Sequence, residues 1–314
     1  MANRENALGT LVERPRPTIF AAAAVALIAT AGLWIASLLA ARLSLQDQAG
    51  REFLFDAMYY LPFVALPVAL YAVRRPGLSA SMRLNPMPPL TTLAVILAAM
   101  LSVYLASALD AAWAMLLNAV GLHEPEVSVE IASSRGLMLA VLHSAAIPAI
   151  FEELLCRGFV LSAFESRGTR LAVWVSSVIF ALMHGNVYGL PAYLLVGATS
   201  AFLVFALDSL YAGIAYHTVY NTLILLSLYL LPAAGSDAAN TASGAALAAS
   251  VAVDVALAAL LLFLLLRTLD RRRRALGIKA VPRIREPLRT GERALLIALG
   301  VVFAATCTLV LMGV

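Results

Sequence analysis

The stretch that decides the fold is Leu137–Phe164, LMLAVLHSAAIPAIFEELLCRGFVLSAF. It exceeds the roughly 20 apolar residues a helix needs to cross a bilayer. Yet it carries Glu152, Glu153 and Arg157 near its middle. A charge at the centre of a membrane helix costs on the order of 2.5–3.5 kcal/mol on insertion scales. Three charges in so short a space point to a task inside the membrane.

The rest of the chain is built the same way. It has 314 residues, 62% hydrophobic and 13% charged, with a mean hydropathy of +0.90. A soluble core of this length cannot hide so much apolar surface, and the apolar runs are continuous rather than alternating, which excludes a β-barrel pattern. The class expected is an all-α polytopic transmembrane bundle of about nine spans, eight being the other count considered. The spans fall at about 18–41, 53–73, 90–118, 137–164, 170–186, 189–207, 211–231, 243–266 and 294–313. The third is long and carries Asp110, so it reads as one tilted helix or a helix plus an interfacial piece. Residues 1–17 read as a disordered lead, 18–136 as spans one to three, 137–231 as the core with spans four to seven, and 232–314 as two closing spans. The first apolar segment is too long for a signal-peptide core and is read as a retained helix.

Charge placement gives an orientation. Arg4, Arg14 and Arg16 put the N-terminus in the cytoplasm, and Arg74, Arg75, Arg83, Arg167 and Arg170 put two further connections there. The loop with His123, Glu124, Glu126 and Glu130 is acidic and is expected outside. Ten of the 22 Lys and Arg lie between Arg267 and Arg293, which reads as a basic cytoplasmic loop on anionic lipid, not a nucleic-acid site. Cys156 and Cys307 lack CxxC spacing and support no disulfide framework.

Within the fourth span, Glu153 and Arg157 are four apart, with the acid first, which suits an ion pair. Glu152 points about 100° away around the helix and lacks that partner, so it is the candidate general base. Pro148 removes the helical hydrogen bond to the Ser144 carbonyl and should kink the helix beside the acids. His184 closes the fifth span, and His217 and Asn221 share a face of the seventh. His143 lies about half a turn away from Glu152 and is left outside the site, as is His123. Asp208 suits a tight turn; Asp254 has no account.

Glu152, His184, His217 and Asn221 together could hydrolyse a peptide bond. A Glu/His pair can activate water, and a His and an Asn amide can aim N–H groups at an oxyanion. Glu152, His184 and His217 could equally form a zinc site with an open position for water, although HExxH spacing is absent. One tension stands. His184 is about 14 residues into its span from the cytoplasm, roughly 21 Å at 1.5 Å per residue, and His217 only about six. They meet only if the helices are offset.

Glu152-Glu153-x-x-x-Arg157, Phe180-x-x-x-His184 and His217-x-x-x-Asn221, in this order on separate spans, resemble the CPBP family. These are the CAAX-protease and bacteriocin-processing (Abi) intramembrane endopeptidases. The resemblance covers about residues 137–231. It implies cleavage near the C-terminus of a membrane-associated protein or peptide, with Glu152 and His184 acting on water and His217 and Asn221 supporting the oxyanion. Glu153 and Arg157 would be supporting residues and Phe180 a packing residue. The family is described both as glutamate-type and as metal-dependent, so no cofactor is assigned and zinc stays open. The alanine- and arginine-rich composition suggests a bacterial inner membrane. The alternative function is a non-enzymatic carrier or immunity protein using the Glu/His cluster as a proton relay.

Overall fold

The computed structural model describes residues 16–40, 42, 48–74, 82–87, 89–124, 131, 133–230, 244–277 and 287–311. The acids Glu126 and Glu130 lie outside them, as do Arg4, Arg14 and Arg75. Among the described residues every regular element is helical, in nine successive bodies. These are α1 (Ile19–Ala40), α2 (Gln48–Tyr60, Leu61–Ala65 and Leu66–Val73), α3 (Pro89–Ala119), α4 (Ser134 to Phe164 in five segments), α5 (Thr169–Met183), α6 (Leu190–Leu207), α7 (Leu210–Leu230), α8 (Gly244–Ala275) and α9 (Thr290–Leu311).

Seven of them are long and apolar enough to cross a membrane, by length and composition. The other two are α5, with 15 residues, and α7, whose 21 residues include His217, Asn221 and four tyrosines. The chain is therefore a polytopic helical membrane protein. The third span is one unbroken helix of 31 residues, about 46 Å long, which exceeds a hydrocarbon core of about 30 Å. The eighth body corrects the expected basic loop at its start: Arg271 to Arg274 continue helix α8. Arg273 lays its guanidinium 4.4 Å from the Phe205 ring, and Asp270 pairs with both Arg273 and Arg274.

Lipid is as apolar as a leucine side chain, so close packing and internal hydrogen bonds hold such a bundle together. Helix α1 shows how. Its inward face is Ala22, Ala23, Ala26, Ala29 and Gly32, and a Cβ at Gly32 would stand 2.2 Å from the Phe63 ring. Large apolar side chains such as Leu90, Leu93, Val253 and Phe263 point outward instead. Helices α5 and α6 form a packed hairpin, α3 runs along α6, α7 and α8, and α9 lies on α1.

Two helices that carry the polar residues are wound wide. α2 has a π segment at Leu61–Ala65 and α4 has two, Val141–Ala146 and Leu154–Leu161. Pro62 and Pro148 each sit at or next to such a turn, where a missing N–H breaks the regular ladder.

One end of the bundle is tied by a polar knot. Arg83, in left-handed backbone (φ 55°), contacts Glu165 at 2.6 Å and Asp208 at 3.0 Å, and its carbonyl accepts the Leu210 N–H. Asn85 donates to the Asp208 carbonyl and carboxylate. Burial works against the Arg83 charge, but Glu165 and then Asp208 outweigh it and hold its pKa above the ordinary arginine value. Asp208 thus does sit in the α6–α7 turn, also left-handed (φ 48°).

Candidate active site

The stagger between α5 and α7 is what brings the histidines together. Both imidazoles pack on one ring, Phe180, at centroid distances of 4.7 Å for His184 and 5.4 Å for His217. Helix α5 ends at His184, and the chain turns through Gly185 (φ 61°) before α6 begins. The turn is recessed: Trp113, well before the end of α3, donates its indole N–H to the Val187 carbonyl at 2.8 Å.

Glu152 and Glu153 take different surroundings. Glu153 is completely buried, with Arg157 at 2.9 Å, Ser200 donating to its Oε2 at 2.6 Å, and His217 Nδ1 at 3.3 Å from Oε1. Arg157 is equally buried; it donates to the Gly197 carbonyl at 2.9 Å and lies over the Phe180 ring at 4.4 Å. Gly213 makes room for this cluster, since a Cβ there would meet Glu153 Oε2 at 2.6 Å. The expected Glu153–Arg157 pair is present, and it is the centre of a dry framework.

Glu152 faces a cavity instead. Tyr60 donates its hydroxyl to Glu152 Oε1 at 2.9 Å and stacks on Phe151 (5.1 Å, 14°). Glu152 Oε2 is buried, has no hydrogen-bond partner, and lies 3.9 Å from His184 Nε2. That distance is too long for a direct hydrogen bond and fits a bridging water. His184 Nδ1 is 2.8 Å from the Phe180 carbonyl, which can only accept, so Nδ1 carries the proton and Nε2 of the neutral ring is left as a base. Tyr193 stacks on the same imidazole at 4.1 Å.

The cavity holds about 500 Å³ and is walled by α4, α6, α7 and the end of α5, with Tyr60 of α2 and Asp110 of α3 at its sides and Glu152, His184, His217 and Asn221 all on its surface. His217 holds its Nδ1 towards Glu153, which leaves Nε2 for the cavity. One N–H of Asn221 donates to the Ser144 carbonyl at 3.2 Å. The conditional zinc set is not gathered. Among the described residues no three His, Cys, Asp or Glu side chains lie together as a metal cluster, and His217 turns to Glu153. His143 lies apart, paired with Glu52.

Tyr60, Ser200, Tyr193 and Gly213 were not legible beforehand. Each is an ordinary residue in an apolar helix, and only the crossing of helices brings the three side chains, and the space left by Gly213, to the polar cluster.

A helical membrane bundle with a polar hollow, a carboxylate and an imidazole facing each other across a gap the width of a water, is a setting for acid–base chemistry inside the bilayer. Comparison supplies the family. Residues 134–223, from the first residue of α4 to just past Asn221, match the family described as type II CAAX prenyl endopeptidase, Rce1-like. The match supports the CPBP/CAAX-protease family for this segment, and that family's members are peptide hydrolases. The family match supports intramembrane CAAX endopeptidase activity in general and a membrane-associated peptide substrate. No curated protein and no solved structure matches the chain.

Proposed function

We propose that this chain is an intramembrane endopeptidase that cuts near the C-terminus of a membrane-associated protein or peptide, with Glu152 as general base. The observation that carries the reading is the 3.9 Å gap between Glu152 Oε2 and His184 Nε2 at the cavity wall. A water held there gives one proton to Glu152 while its oxygen adds to the scissile carbonyl carbon. As the C–N bond breaks, the proton passes to the leaving amine, so one water is consumed per carboxylate and amine formed. His217 and the second N–H of Asn221 face the same hollow and are the donors proposed for the oxyanion. Glu153 and Arg157 hold His217 and helix α4 in place. The membrane proposed is a bacterial inner membrane, with the basic connections cytoplasmic and the segment after α8 on anionic lipid.

The test is Glu152→Gln, which keeps shape and removes the base. Cleavage of a reporter peptide should fall by about 10²–10⁴-fold, with unchanged expression and melting temperature. Cleavage at the normal rate would remove Glu152 from the mechanism.

One observation favours the proton-relay carrier as a second reading. Glu52, Asp56 and Tyr60 are spaced four apart along α2, and this row runs from the His143–Glu52 pair to Glu152. Proton flux that survives in the absence of any cleaved substrate would select the carrier.

A further inference from the structure

The cavity sits off-centre in the bundle, using the end of α5 at Phe180 and His184, the α5–α6 turn at Asn186, the first half of α6 and Glu124 beyond the end of α3. Along α7 it runs from His217 forward to Leu225, along α6 from Val196 back to Gly189, and along α4 from Glu152 back to Ser144. Helices α4 and α6 run one way and α5 and α7 the other, so the end of α5 and the start of α6 mark the end of the bundle to which the cavity is offset. That end is the one opposite the Arg83 knot, because Glu165 closes α4, Asp208 closes α6 and Leu210 opens α7 at the knot. Burial grades the same way. Phe180, Val196 and His217 form a buried floor, while Glu124, at the far rim, is exposed.

The two ends differ in charge. Arg74, Arg83, Arg167, Arg170 and Arg271 to Arg274 lie at the knot end. Among the described residues the cavity end has only Arg42, Arg51 and Arg135 as Lys or Arg, set beside Glu52 and Glu124. Short connections rich in Lys and Arg are retained on the cytoplasmic side of a membrane, a bias that acts at insertion and owes nothing to any activity.

We infer that the active-site hollow opens to the non-cytoplasmic face, and that its substrate is a peptide or membrane-protein segment displayed on that side. The water that reaches Glu152 enters from there too, past Asn186 and Glu124. The substrate clause rests on the endopeptidase reading; the sidedness does not. The consequence is a division of supply. Whatever the chain cuts must already have been translocated or inserted with its scissile segment outside, so a translocation step comes before this one.

Cysteine accessibility tests the sidedness without needing activity. Cys156 is fully buried, so Cys307→Ser gives a background free of reactive thiols. Into it go Glu124→Cys or Arg272→Cys, each in the full chain in sealed cells, treated with a membrane-impermeant maleimide before and after permeabilisation. The expected result is labelling of Glu124→Cys in sealed cells and of Arg272→Cys only after permeabilisation. The reverse pattern overturns the inference. A second arm expresses one scissile segment in two anchored reporters, displayed outside or in the cytoplasm, with the unmodified chain. Cleavage of the outside reporter alone supports the inference, and cleavage of the cytoplasmic one alone defeats it. If the labelling pattern holds but neither reporter is cut, sidedness stands and the substrate clause fails together with the endopeptidase reading.

Discussion

Asn221 reaches from α7 to α4 and donates its amide to the Ser144 carbonyl across 3.2 Å. That carbonyl is the one an N–H at position 148 would engage in a regular helix, and position 148 is a proline. The defect that Pro148 makes in one helix is thus answered by a side chain from another, at the wall of the active-site cavity.

The bridge has a measurable consequence. Asn221→Leu removes both the tie to Ser144 and the second N–H, the one proposed to meet the oxyanion. Loss of one oxyanion donor typically lowers the rate constant by about 10²–10³-fold. A neutral hydrogen bond contributes only about 1 kcal/mol to stability. The variant should therefore fold with a small fall in melting temperature while kcat collapses. If cleavage stays within a few-fold of normal, Asn221 is a structural tie alone.

Tyr60 separates orientation from scaffolding. Tyr60→Phe keeps the stack on Phe151 and deletes only the hydroxyl that holds Glu152 Oε1. Kcat should fall by more than KM changes, because the aromatic ring that lines the cavity is kept while the carboxylate loses its fixed rotamer. Tyr60→Leu, which also loses the stacking, should lower the melting temperature as well. Equal loss of stability in both variants, with no change in kcat, would refute the orienting role.

The two glutamates should behave as opposites. Glu153→Gln leaves Arg157 buried without its carboxylate, and breaking such a pair from one side costs about 3–5 kcal/mol. Glu152 has no cation beside it that is always charged, so Glu152→Gln should leave stability nearly unchanged. Melting of the purified variants in detergent reads the contrast directly. A Glu153→Gln protein as stable as the parent would contradict the buried framework.

Gly213 tests how tightly that framework is closed. In Gly213→Ala the new methyl would meet Glu153 Oε2 at 2.6 Å and Val204 Cγ2 at 2.7 Å. Overpacking of this kind costs about 1–3 kcal/mol. It should also shift His217 through Glu153, so activity should fall further than melting temperature alone explains. Thermal melts and cleavage rates of Gly213→Ala beside Gly300→Ala, where a Cβ meets nothing within 4 Å, provide the comparison.

The amino-acid order by itself determined the class and the membrane setting. Apolar runs of bilayer length, interrupted by arginine-rich connections, admit helices that cross lipid and little else, since backbone groups in hydrocarbon must bond within their own segment. It also singled out Glu152, Glu153, Arg157, His184, His217 and Asn221, because polar residues inside such runs are costly enough to be conspicuous. Their i, i+4 spacing also paired Glu153 with Arg157 and left Glu152 free. Tertiary structure alone decided the partners from other helices: Ser200 and His217 for Glu153, Tyr60 and the gap facing His184 for Glu152. Sequence spacing fixes which face of its own helix a residue occupies, but the stagger of α5 against α7, the π turns in α4 and the room left by Gly213 belong to packing between helices. Those distances exist only once the bundle has closed.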